Sequence, residues 1–108
     1  MENNELILPL IEKLYNDFSI DKSNLPVKKD YLEELRIIKE FLSKRIEELM
    51  TANLERFLNT LYRIDVNESR VTQILNASPN APDDLADLII ERQLLRLKTQ
   101  LLYKQGKL

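Results

Sequence analysis

Apolar residues recur along this chain at intervals of three and four, the spacing of one helix face, and nowhere alternate as a strand requires. Ile7, Leu10, Ile11, Leu14, Tyr15 and Phe18 form the first such stripe. Pro9 is tolerated only in a first turn, where its missing N–H costs nothing, so the expected helix covers 8–18. Polar turn formers and Pro26 make 19–27 a linker, because the residue before a proline is biased away from helix. Tyr31, Leu35, Ile38, Leu42 and Leu49, with Ile46 covering the gap at Arg45, predict a long amphipathic helix over 28–50.

Leu54, Phe57, Leu58, Leu61 and Ile64 make the next stripe. In one unbroken helix, at ~100° per residue, it would sit about a third of a turn from the preceding stripe. A break at 51–53, with Asn53 capping a helix over 53–64, removes the mismatch. No Gly or Pro enforces that break, so a continuous helix stays open. Asn67 as N-cap predicts a short helix over 68–76, with Val71, Ile74 and Leu75 inward and Val66 stapled onto Val71. A loop at 77–82 leads into Pro82, which opens a helix running to about 105 before Gly106 stops it. The expected architecture is an all-α, single-domain bundle of four or five helices over 1–108, with a long C-terminal helix.

That last helix carries two apolar stripes where a surface helix carries one. Leu85, Leu88, Ile89, Leu95 and Leu102 group on one side, and Ile90, Leu94, Leu97 and Leu101 nearly opposite. Asp87, Glu91 and Lys98 separate them along one edge, Gln93 and Gln100 along the other. A helix apolar on two sides must be covered on two sides. Either the chain's own helices sandwich it, or Ile90, Leu94, Leu97 and Leu101 meet a partner, most simply in a symmetric homodimer.

Composition narrows the chemistry. With 16 Lys plus Arg against 18 Asp plus Glu, the net charge of -2 excludes a surface that is one polyanion-binding field. The chain lacks Cys, His and Trp and has a single Gly. Disulfides, zinc fingers, imidazole or thiolate catalysis and glycine-rich phosphate loops are therefore excluded. The remaining potential catalysts stand in no recognisable motif, so the reading is a non-enzyme without cofactor. No apolar run reaches the ~20 residues of a membrane helix, and the N-terminus does not resemble a secretory signal. A cytoplasmic protein that does not enter a membrane is the expectation.

Three polar constellations stand out. Asp83, Asp87 and Glu91 share one helix face, but acids in a first turn ordinarily offset the helix dipole. Arg63, Asp65, Glu68 and Arg70 are expected to brace the turn as an ion-pair network, with a recognition patch as the alternative. Arg92, Arg96, Lys98, Lys104 and Lys107 follow the last acid, yet they form no single basic stripe. Nucleic-acid binding through this basic end is accordingly the alternative, ranked below binding to protein or to a second copy.

Two stretches, Leu61-Tyr62-Arg63-Ile64-Asp65-Val66-Asn67-Glu68 and Leu85-Ala86-Asp87-Leu88-Ile89-Ile90-Glu91-Arg92-Gln93-Leu94 followed by Lys98-Thr99, resemble a group of short, uncharacterised helical bacterial proteins. In that group an LYRIDV-type turn precedes an ADLIIERQL-type C-terminal helix. The resemblance covers roughly the second half of the chain. It implies a small bacterial cytoplasmic protein and brings no activity, ligand or catalytic residue. The expected function is a non-catalytic interaction module or accessory subunit working through helix faces.

Overall fold

A computed structural model describes residues 4–20, 31–104 and 106. It contains α1 (Asn4–Phe18), α2 (Tyr31–Ala52), α3 (Leu54–Arg63), α4 (Glu68–Ala77) and α5 (Ala81–Lys104). The fold is all-α, with no strand among the described residues. Residues 21–30, which hold most of the expected linker and the first turn expected of the second helix, lie outside the described residues. So do the side chains of Ile7 and Tyr31.

The first helix starts at Asn4, four residues before the expected position, and Pro9 lies inside it. Leu6 explains the extension, because the added turn buries it to 3% exposure in the core. Pro9 itself is exposed, and lacking an N–H it leaves out one bond of the helical ladder. The rest of the stripe is as expected: Leu10, Ile11, Leu14, Tyr15 and Phe18 are all buried. At the far end Ser19 adopts a left-handed φ of 55°, and the Ile20 N–H donates to the Tyr15 carbonyl at 3.0 Å. This closes the helix with a bond from the second residue beyond its end.

The break between α2 and α3 falls where the stripe mismatch places it. Asn53 is the N-cap of α3, its side-chain oxygen accepting from the Arg56 N–H at 3.0 Å. Each helix can then turn its own stripe inward. Ile38, Leu42, Ile46 and Leu49 of α2 are buried, as are Phe57 and Leu61 of α3 and the following Ile64. Leu54 departs from the pattern and is 45% exposed, because as the first residue of α3 it stands at the rim of the core. Phe57 meets Phe18 of α1 with ring centroids 6.3 Å apart.

α5 is the hub. It packs against α1, α2 and α4, and Leu85, Ala86, Leu88, Ile89 and Ile90 are all buried. It runs antiparallel to α2: Lys39 pairs with Asp87 at 3.1 Å, and one turn further along α2 the Ser43 hydroxyl donates to Asp83. Arg45 donates to the Phe18 carbonyl at 2.8 Å, tying α2 to the end of α1. The body measures 40 × 31 × 21 Å. Its thin dimension is that of two helix layers at the usual 8–10 Å spacing.

Candidate functional site

The open ground of this fold lies where α3 ends. Ile64 closes α3, and Asp65 takes a left-handed φ of 63°. The Asp65 N–H donates to the Tyr62 carbonyl at 3.1 Å and the Val66 N–H to the Leu61 carbonyl at 3.2 Å, which is the bonding pattern of a Schellman motif. Its hydrophobic clasp is present too, since Leu61 and Val66 are both buried in one core cluster. Asn67 then caps α4, accepting from the Arg70 N–H at 3.2 Å. Val66 and Val71 flank this cap in the same cluster, as the staple requires.

The turn is braced, but from a different place than charge proximity along the chain suggests. Asp65 pairs with Arg92 of α5 at 3.1 Å, and the Arg92 Nε donates to the Ile64 carbonyl at 3.4 Å. Among the described residues Arg63 and Arg70 form no salt bridge with Asp65 or Glu68. One guanidinium from the hub helix holds both a carbonyl at the end of α3 and the carboxylate beside it. Arg63 and Arg70 point to water instead.

A groove of about 1050 Å³ opens between the end of α3, α4 and α5. Its floor is Leu61, Val66, Val71 and Leu88, all at or below 9% exposure. Leu58 and Leu75 are half-buried in its walls. Tyr62 and Leu95 stand at its edge with 72% and 57% of their surface exposed. The polar rim carries three carboxylates, Asp65, Glu68 and Glu91, against the single guanidinium of Arg92. The Tyr62 hydroxyl is raised above the ordinary tyrosine range, first by its hydrogen bond to Glu68 and then by the charge of that carboxylate. The two segments singled out in the sequence, 61–68 and 85–94, form facing sides of this one groove.

The structure redistributes the two stripes of α5. Ile90 is 8% exposed and belongs to the core, Leu94 and Leu97 are half-buried against it, and Leu101 is half-buried. Ile90 is thus packed into the chain's own core, while Leu94, Leu97 and Leu101 each keep part of their surface exposed. On the opposite stripe Leu85, Leu88 and Ile89 are covered, while Leu95 is the exposed leucine of the helix. Gln93, expected on a polar edge, is wholly buried and donates to Asp17 of α1 at 2.7 Å. α1 closes over this edge, and α2, which reaches Asp83 and Asp87, lies on the other side of the same stripe, so the stripe between them is covered.

The helix-start acids are engaged with the fold. Asp83 accepts from Ser43, Asp84 from Ser78, and Asp87 pairs with Lys39. No group of His, Cys, Asp or Glu suited to a metal ion occurs among the described residues, and none of their helices is long and apolar enough to cross a membrane. Comparison with known proteins finds no matching family model, curated protein or solved structure.

Proposed function

We propose that this chain is a non-catalytic interaction module, an adaptor or accessory subunit that binds protein through the α3–α4–α5 groove in a bacterial cytoplasm. The observation that carries the reading is the placement of Leu95 and Tyr62, two large exposed side chains, beside an apolar floor with a polar rim. That is the composition of a protein-binding patch: a desolvated apolar centre, an aromatic anchor and hydrogen-bonding groups around it. At about 1050 Å³ and open to solvent, the groove exceeds most small-molecule sites and suits an elongated partner. α4 suits a wall that adjusts to an occupant, since Val71 is its only fully buried residue.

Nucleic-acid binding through the basic end of α5 is the weaker reading. Arg92 is already engaged with Asp65, and at ~100° per residue Arg96, Lys98 and Lys104 project to different sides of the helix. The test is a tagged pull-down from the native cell, with nuclease, of the wild-type chain and a Tyr62→Ala/Leu95→Ser variant. A stoichiometric protein partner present with wild type and lost with the variant is expected. A partner retained by the variant, or a binding that disappears with nuclease, overturns the groove reading.

A further inference from the structure

We infer that the occupant of the groove is a second copy of this chain, whose α5 lies antiparallel on the first α5 about a twofold axis near Leu95. The inference rests on the interaction-module reading and names its partner. It starts from the face of α5 that the described residues leave open. At ~100° per residue Leu88, Glu91, Leu95, Lys98 and Leu102 fall within about 60° of Leu95 on the helix circumference. Leu88 forms the groove floor, Leu95 stands exposed at its edge, and the same face then runs past the groove through Lys98 to a half-buried Leu102.

Charge on this face selects the partner. Glu91 stands one turn before Leu95 and Lys98 about one turn after it, and both are exposed. The gradient continues along the helix, with Asp83, Asp84 and Asp87 at its start and bases without an acid after Glu91. A helix that runs from acid to base repels a parallel copy and complements an antiparallel one. Twofold symmetry makes every such contact occur twice. With the axis at Leu95, Leu95 meets Leu95, Leu88 lies opposite Leu102, and Glu91 lies beside Lys98 of the second copy. Asp65 is taken up by Arg92, and the Glu68 carboxylate on the groove rim adds to the Glu91 charge that Lys98 of the incoming helix meets. A helix of a different protein would need leucines and a base spaced as Leu95, Leu102 and Lys98 are, which this chain already carries.

Sedimentation equilibrium of the full chain at low salt, from about 1 to about 300 µM, tests the inference. A dimer whose dissociation constant rises with salt is expected. Leu95→Glu should abolish it, and Glu91→Lys or Lys98→Glu alone should weaken it at least about tenfold. The double exchange Glu91→Lys/Lys98→Glu should restore most of the affinity, and this rescue is specific to an antiparallel pairing of these positions. All three sites are exposed, and unchanged helicity by circular dichroism verifies that each variant folds. A monomer at the highest concentration, a dimer that survives Leu95→Glu, or a double exchange no tighter than the single ones overturns the inference. A monomer that still captures a groove-dependent partner in the pull-down overturns the second-copy assignment alone. A monomer with no such partner overturns the module reading as well.

Discussion

Tyr15 offers a test of the core that does not depend on function. Its side chain is 1% exposed, and its buried hydroxyl has no hydrogen-bond partner among the described residues. Leaving such a group unpaired costs about 1–3 kcal/mol. Removing the oxygen in Tyr15→Phe opens a void smaller than a methyl group, at a cost below about 1 kcal/mol. The net expectation is a variant more stable by about 1 kcal/mol. With a urea m-value of about 1–1.5 kcal/mol/M for a chain of this size, the midpoint rises by about 0.5–1 M at unchanged m. Alkaline pH supplies a second reading. Burial raises the Tyr15 hydroxyl above its ordinary 10.0, so in that range the unfolded chain holds fewer protons than the folded one. Stability therefore falls as pH rises above about 10, and the Phe variant escapes this part of the loss. The advantage of the variant should widen between about pH 8 and about pH 11. A variant less stable than wild type at neutral pH, or a gap that stays constant with pH, refutes the reasoning by showing that the hydroxyl has a partner.

The turn and the caps give further tests. Asp65→Ala should destabilise the fold by about 1–2 kcal/mol, because alanine tolerates the left-handed φ of 63° poorly. Asp65→Asn, which tolerates that φ but loses the pair with Arg92, should cost below about 1 kcal/mol. Equal melting temperatures for the two variants would refute the backbone argument. Asn53→Ala removes the cap that separates α2 from α3 and should cost about 0.5–2 kcal/mol in urea denaturation. Phe57→Ala, at 0% exposure and against Phe18, should cost about 3–5 kcal/mol, enough to leave a small domain largely unfolded by thermal melt.

What the sequence revealed and what it concealed separate along physical lines. Local rules were legible. The stripe mismatch across 51–53 and the two asparagine caps are decided by residues within one or two turns, and they place three helix ends. The start of α1 was concealed because a proline rule weighs only a local cost, while the burial of Leu6, which opposes that cost, is not visible in the spacing of the stripe. The brace of the turn was concealed because Arg92 is distant in sequence from Asp65, and nothing around Asp65 points to it.

The double stripe of α5 is the case in which pattern was visible and meaning was not. Hydrophobic periodicity shows that both sides of the helix need cover, but it does not say which side the chain covers itself. That is decided by α1, whose Asp17 reaches the buried Gln93, together with α2, whose Lys39 and Ser43 reach Asp87 and Asp83 on the other edge of the same stripe. A glutamine with 0% exposure on the expected polar edge is therefore the informative residue, because burial of its amide requires a neighbour there. Its carbonyl oxygen has no partner among the described residues, so the contact carries a cost that the packing of α1 must exceed. With that edge closed, the cover still missing is at Leu95, on the opposite stripe. The same leucine stands between the acidic and basic halves of the helix, so the surface with apolar area to hide is also the surface on which an antiparallel copy finds opposite charge.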